Sequence, residues 1–372
     1  MTEGHPVASP HSPMEAKMVD LFAGPGGLDV AARWMGISVA GVEWDEQACK
    51  TRRAAGLLTE QGDVTKSKPA NYPNARILTG GPPCQTYTVA GRGAGRQALD
   101  RVLRFVELIG GDPDLAHDLD ELTGDERTGL VLQPLQWILG AACHGAPYDT
   151  IVLEQVPSVL PVWEAYAQVL RDGKYGYKVA CGILHTEEFG VPQTRRRAIL
   201  IASRTVDVRL PEPTHRRYRR DVPQDQGDSR LRPWVSMGQA LGRSDEFRVV
   251  SNYGTGGDPK ARGVRGSGQP SFTVTGKVSR NRLQAGDSMR SLGRFTDDEA
   301  GRLQTFPPKY PWSGKDIGQQ IGNAIPPRLA VHVLAAALGG EVDVRVLDRC
   351  VKRPWATTKD GVANLFKAPV GA

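Results

Sequence analysis

Apolar and polar positions along the chain change texture several times. Met18-Val19-Asp20-Leu21-Phe22 is a short apolar run halted by Ala23-Gly24-Pro25-Gly26-Gly27, after which Leu28 to Met35 repeats at helical spacing and closes at Gly36. Ile37 to Trp44 is a second β-rich run. Strand, glycine turn, helix, strand is the opening of a doubly wound α/β sheet. Further buried strands are expected at Ala75 to Leu78, Thr150 to Leu153, Tyr177 to Leu184 and Ala198 to Ala202, with a helix from Val162 to Leu170 among them. Strands alternating with helices imply a mostly parallel sheet. A periodic stretch from Gln97 to Leu108 marks a helical insertion within residues 93–124. Beyond Arg204 regular periodicity fades. It returns as a helix from Arg328 to Leu338, where Pro327 suits the first helical position.

Composition adds a division of charge. The chain has 372 residues, 47 Lys plus Arg and 41 Asp plus Glu, hence a formal +6. Residues 204–294 hold 18 of the basic and 9 of the acidic residues, so they carry +9 and leave −3 for the rest. A basic module on a nearly neutral body suits a polyanionic partner. Five scattered cysteines without a Cys-x-x-Cys pair exclude a disulfide scaffold and a cysteine-based zinc site, and no metal is expected. No apolar stretch is long enough to span a bilayer, and residues 1–16 lack the apolar core of a signal peptide, reading as a disordered leader. A soluble cytoplasmic protein is the expectation.

Four segments carry candidate chemistry. In Asp20 to Leu28 the glycine turn lets backbone amides approach a ligand at a helix N-terminus, though it is not the dinucleotide Gly-x-Gly-x-x-Gly. Glu43, 19 residues after Gly24, is placed to take ribose hydroxyls, with Trp44 beside it to stack on an adenine; Asp63 is a possible adenine partner or a plain turn residue. Gly80-Gly81-Pro82-Pro83-Cys84-Gln85 follows a strand, and its prolines present the cysteine rigidly as a candidate nucleophile. The segment Tyr87 to Gly93 reads as a loop able to close over a substrate. Glu154 ends the apolar run Ile151-Val152-Leu153, where burial raises a carboxyl pKa and equips it to donate a proton. In Gln193-Thr194-Arg195-Arg196-Arg197, alternation puts Gln193, Arg195 and Arg197 on one face and Arg196 on the other.

In this order these segments resemble the DNA cytosine-5 methyltransferase family from residue 18 to about 338. Two further pieces fit it, Leu303-Gln304-Thr305-Phe306-Pro307 and Gln320-Ile321-Gly322-Asn323-Ala324-Ile325-Pro326-Pro327. The chain departs from the family at Gln155, where Glu-Asn-Val is usual; the amide is kept and a methylene added.

The resemblance implies a Rossmann-like S-adenosylmethionine-dependent methyltransferase sheet with a smaller inserted target-recognition domain. The implied division is a catalytic domain at 17–203, a target-recognition domain at 204–315, a return to the catalytic domain at 316–345 and a C-terminal tail at 346–372. It implies S-adenosylmethionine held by Phe22, Ala23, Gly24, Gly26, Gly27, Leu28, Glu43, Trp44, Asp63, Val64, Pro83, Asn323 and Ala324. Cys84 is then the nucleophile toward cytosine carbon 6, with Gln85 beside it. Glu154 is the donor at ring nitrogen 3, Arg197 holds the carbonyl oxygen and Arg195 supports the closed loop. The partner is double-stranded DNA with its target base flipped out, contacted by Arg262, Arg265, Lys277, Arg280 and Arg282 on loops. The enzyme is expected as a monomer, paired in function but not in a stable complex with a restriction endonuclease.

Other readings fit less of the chain. A tRNA cytosine methyltransferase resembling this family carries a Cys-Phe-Thr element that is absent here. A catalytically dead regulator would have lost Cys84, Glu154 or Arg197. An oxidoreductase leaves Pro-Pro-Cys and the basic module unexplained.

Overall fold

The structure, a computed structural model, describes residues 12–83, 94–111, 129–254, 262–286 and 288–368. Its body is a seven-stranded sheet in the order β3-β2-β1-β4-β5-β7-β6. The strands are β1 (Met18–Leu21), β2 (Val39–Glu43), β3 (Leu58–Gln61), β4 (Ile77–Gly80), β5 (Thr150–Gln155), β6 (Lys178–His185) and β7 (Arg196–Ser203). β1 to β5 pair in parallel, while β7 runs antiparallel to both neighbours. That reversal was not legible in the apolar runs. Only residues 186–195 join β6 to β7, too few for the helical crossover that a parallel pair needs.

Every residue of β1 and β4 is buried, as expected of strands covered on both faces. One face is closed by α3 (Ala94–Gly111), α4 (Gln133–Cys143) and α5 (Leu160–Arg171), whose Val106, Trp137 and Trp163 join Leu21, Leu78 and Leu153 in one core. The other is closed by α1 (Gly27–Trp34) and α9 (Pro327–Ala337), with Val30 and Trp34 against Leu329 and Val333. α2 (Glu46–Ala54) links β2 to β3, and the Asp45 side chain caps it by accepting from the Ala48 amide at 2.7 Å.

A second core belongs to a smaller domain. A four-stranded antiparallel sheet, β11-β10-β8-β9, is built from β8 (Phe247–Gly254), β9 (Arg262–Gly266), β10 (Arg282–Ala285) and β11 (Ser291–Gly293). Its Phe247, Val249 and Leu283 pack against α6 (Met237–Leu241), α7 (Asp297–Leu303) and α8 (Ile317–Asn323). Capping boxes fix the starts of α6 at Ser236 and α7 at Thr296. This core begins at Met237, whereas the basic composition begins at 204; between them Val208 and Leu210 lie on the body.

The segment expected as a tail, 346–372, is instead part of the body as far as it is described. Val346, Leu347 and Cys350 on α10 (Val344–Lys352), then Trp355 and Leu365, are buried in the second body core. β12 (Glu341–Val342) and β13 (Phe366–Lys367) pair and close the segment on itself. At the other end, Ala16 of the expected leader is fully buried, and residues 1–11 lie outside the described ones.

Candidate active site

Leu21, Gly80 and Leu153 stand in register on β1, β4 and β5, so the chain leaves all three strands at one edge of the sheet. Three turns meet there: Phe22–Gly27, Gly81–Pro83 and the Glu154-Gln155 strand end.

The first turn is bent sharply. Phe22, Gly24 and Gly26 have φ of 56°, 53° and 101°, and the non-glycine Phe22 holds a conformation that costs a residue with a Cβ about 1 kcal/mol or more. The turn is packed from the far end of the chain. A Cβ on Gly27 would lie 2.3 Å from the Ile325 carbonyl oxygen, and one on Gly26 would lie 2.4 Å from Leu57 Cδ1. The Tyr310 hydroxyl donates to the Pro25 carbonyl at 2.6 Å. Segments about 300 residues apart are thereby joined at one turn.

Glu43 ends β2 beside this turn. Its Oε2 accepts from the Gly24 amide at 2.6 Å and its Oε1 from the Asp45 amide at 2.7 Å. Burial pushes its carboxyl above the usual range, against the pull of these two amides. Next to it, Trp44 is 69% exposed, an uncommon state for so large an apolar ring. Leu28 and Ala23 are buried, Asp63 accepts from the Thr65 amide at 2.9 Å, and the Val64 carbonyl accepts from Trp137 Nε1 at 3.2 Å. Asn323 is exposed and its side chain accepts from Gln319 Nε2 at 2.7 Å, while Ala324 is buried.

At the second and third turns, Glu154 is 6% exposed and forms an ion pair with Arg197 Nε, from β7 beside it. Burial raises the Glu154 pKa, and the Arg197 guanidinium opposes that rise. A Cβ on Gly81 would lie 3.4 Å from Glu154 Oε2, so the carboxyl faces the glycine-proline turn. The Gln155 amide donates to the Pro82 carbonyl. Cys84 and Gln85 lie outside the described residues, as does the loop to Gly93; Pro83, half-buried, is the last described residue before them.

Arg195 goes elsewhere. It is 2% exposed and donates through Nη1 to the Val274 carbonyl at 2.7 Å and through Nη2 to the Gly322 carbonyl at 2.8 Å. Gln193 works beside it, accepting from the Val274 amide at 3.0 Å and donating to the Leu303 carbonyl at 3.0 Å. Gln304 donates to the Ile321 and Ala324 carbonyls at 2.8 and 3.0 Å. The face that alternation assigns to Gln193 and Arg195 therefore fastens the small domain to the body. Arg196 is exposed.

Among the basic candidates, Arg262 and Arg265 stand on strand β9 and Arg282 on β10, not on loops, and Arg280 ends a single 3-10 turn. Lys277, Arg280 and Arg282 are exposed and have no acidic partner among the described residues. Arg265 is committed to the protein. Its Nη1 donates to Thr194 Oγ1 and to the Pro270 and Ser271 carbonyls at 2.9, 3.0 and 2.7 Å, and its guanidinium lies 4.4 Å from the Phe272 ring centre.

Residue-by-residue reading missed two groups under the first turn, Asp29 and Arg52, which form a fully buried bidentate pair at 2.6 and 2.8 Å. A lone acid on α1 and one arginine of Arg52-Arg53 on α2 look like solvated surface in the sequence.

The family model described as C-5 cytosine-specific DNA methylase matches residues 16–108 and 161–338. The chain is similar to the Type II methyltransferase M.NgoFVII of Neisseria gonorrhoeae, 26% identical over 363 residues that cover 87% of this chain and 86% of that protein. It is similar to the Type II methyltransferase M1.HphI of Haemophilus parahaemolyticus, 27% identical with 87% of each chain covered. In fold it is similar to the S. pombe Dnmt2 methyltransferase, with a TM-score of 0.58 and 17% identity over 87% of this chain and 99% of that one. It is also similar in fold to the Entamoeba histolytica methyltransferase EhMeth, with a TM-score of 0.56 and 12% identity over 87% and 98%.

Proposed function

Because the chain belongs to the C-5 cytosine-specific DNA methylase family, we propose that it methylates carbon 5 of a cytosine flipped out of double-stranded DNA at a specific sequence, with Cys84 as the nucleophile. The relatives' type II names support a place beside a restriction endonuclease of matching specificity.

The first turn fits S-adenosylmethionine. A strained turn opening a helix offers amides to a carboxylate, Glu43 offers carboxylate oxygens to a ribose, and exposed Trp44 offers a ring face to adenine. Asp63 is offered to the adenine amino group, and Val64, Pro83, Asn323 and Ala324 complete the set of residues assigned to the cofactor. Bound there, S-adenosylmethionine supplies the electrophilic methyl group that carbon 5 accepts.

Carbon 5 of cytosine is a poor nucleophile, and the protein's task is to change that. The Cys84 thiolate adds to carbon 6, and the displaced ring electrons give carbon 5 enamine character. Glu154 meets the charge by donating a proton to ring nitrogen 3, a task for which burial keeps its pKa raised. Arg197, paired with Glu154, turns its remaining donors to the carbonyl oxygen. Loss of the carbon-5 proton to solvent then returns the electrons and expels the thiolate, and ring nitrogen 3 gives its proton back to Glu154. Exposed Lys277, Arg280 and Arg282 carry charge that suits phosphates or guanines, and helps offset the few kcal/mol of unstacking.

One observation carries this reading: a buried acid paired with an arginine faces the Gly81-Pro82-Pro83 turn that leads into Cys84. Bisulfite sequencing of DNA from a methylation-free host expressing the chain should reveal one methylated sequence. A duplex bearing 5-fluorocytosine at that position should then trap the protein in a species that survives boiling in detergent, and Cys84→Ser should abolish it. Full methylation by Cys84→Ser protein would overturn the assignment.

A further inference from the structure

We propose that Asp29 and Arg52 are positioning residues for the cofactor turn, setting the orientation of the Ala23–Gly24 peptide and so the affinity of the site for its ligand. The proposal rests on the cofactor reading above and extends it to two residues beneath the site.

Arg52 leaves α2 and enters the space under the turn, where its side chain is fully buried. A guanidinium has five N–H donors, and here each has an acceptor. Nε donates to Thr59 Oγ1 at 3.2 Å, Nη1 to Asp29 Oδ2 at 2.8 Å and the Ala23 carbonyl at 3.4 Å, and Nη2 to Asp29 Oδ1 at 2.6 Å and the Leu58 carbonyl at 3.2 Å. One side chain therefore ties α1, the turn and β3 to α2.

The contact with the turn is specific. The peptide joining Ala23 to Gly24 presents its carbonyl to Arg52 and its amide to Glu43 Oε2, at 3.4 and 2.6 Å. It is thus gripped from both sides, and one grip is the very carboxylate assigned to the ribose. Rotation of this peptide would move Glu43 and re-aim the amides of the turn. Room for the guanidinium is reserved by Gly41 on β2, where a Cβ would lie 1.8 Å from Arg52 Nη2.

Stability alone is a poor reason for such a pair. Two charges withdrawn from water lose much of their attraction to desolvation, and apolar residues of similar volume commonly replace a buried pair with no loss of stability. What they do not replace is a planar fork that fixes a carbonyl and a carboxylate together.

The test separates the two roles. In Asp29→Leu/Arg52→Met the charges leave together and the volume stays. Calorimetry with S-adenosylhomocysteine should give binding at least tenfold weaker than wild type, with the melting temperature of the ligand-free protein within a few degrees. The KM for S-adenosylmethionine should rise with kcat at saturation within about threefold. Affinity within twofold of wild type in that folded double variant overturns the proposal. If the double variant does not fold, Arg52→Lys decides: it keeps the charge and loses the fork, and here too at least tenfold weaker binding is expected and affinity within twofold overturns it. A wild-type protein that fails to bind S-adenosylhomocysteine would sink the cofactor reading instead, a distinguishable result.

Discussion

The side-chain amide of Gln155 donates to the main-chain carbonyl of Pro82, and its oxygen accepts from the amide of Val156. The strand end that carries Glu154 is thereby tied to the turn that leads into Cys84 across 73 residues of sequence. The longer amide makes this brace where the resembled family uses Asn. The substitution Gln155→Leu keeps the bulk and deletes both hydrogen bonds. Single-turnover methylation should slow by about tenfold or more, which is ~1.4 kcal/mol of transition-state stabilisation, with S-adenosylhomocysteine affinity unchanged. A Gln155→Leu protein of full rate would show the brace to be idle.

Glu154→Gln removes the proposed proton donor while keeping the shape. Turnover at saturating cofactor and DNA should fall by roughly 100-fold or more, in the range of general acid–base effects. Cofactor binding measured by calorimetry should be retained, because the carboxyl sits on β5 and not at the β1 turn. Parallel loss of both quantities would assign Glu154 to scaffolding.

Arg195, just before β7 of the body, holds the Val274 and Gly322 carbonyls of the small domain and the Ala324 carbonyl ahead of α9. Arg195→Met leaves these buried carbonyls without their charged donor, at a cost of about 3 kcal/mol or more in urea unfolding. Lys should not rescue, since a single ammonium cannot span the carbonyls that the fork reaches. Unaltered unfolding of the Met variant would contradict the fastening role.

The parts of this arrangement that were legible in sequence are those where local chemistry and fold agree. The glycine turn, the strand that ends at Gly80 and the acid after Leu153 each announce themselves, because a strand edge and a tight turn need particular residues. The rest is long-range. Arg52 looks like surface because the cavity that receives it is made by Gly41 and Asp29 on other elements. Arg265 looks like a DNA contact until Phe272 and Ser271 are seen to occupy its guanidinium. Trp355 and Leu365 look like a tail because their partners, Ala55 and Tyr310 among them, lie elsewhere in the chain.

Acid sensitivity should come from a cluster on the far face of the body. His332 of α9 is 5% exposed with its Nε2 buried and without a hydrogen bond among the described residues, and its ring lies 5.2 Å from that of Phe189. Burial, then the Arg328 guanidinium and His215, hold its pKa down to about 3; His215 is likewise held to about 3 by burial and Arg328, with Asp348 opposing. An unfolded imidazole titrates near 6.5, so the stabilising contribution of each is whole above that pH and is lost as pH falls toward 3, by about 2 kcal/mol per ring at pH 5. Glu187 acts in the opposite sense. Burial raises its carboxyl to about 7, so its contribution is full below the unfolded value near 4.3 and is lost as pH rises through about 7. Glu187 thus offsets part of the loss that the two rings bring on acidification. His332→Leu should remove one ring's share of the acid loss, raising unfolding stability by about 2 kcal/mol more at pH 5 than at pH 8. An equal change at both pH values would mean that this ring is not held neutral by its surroundings.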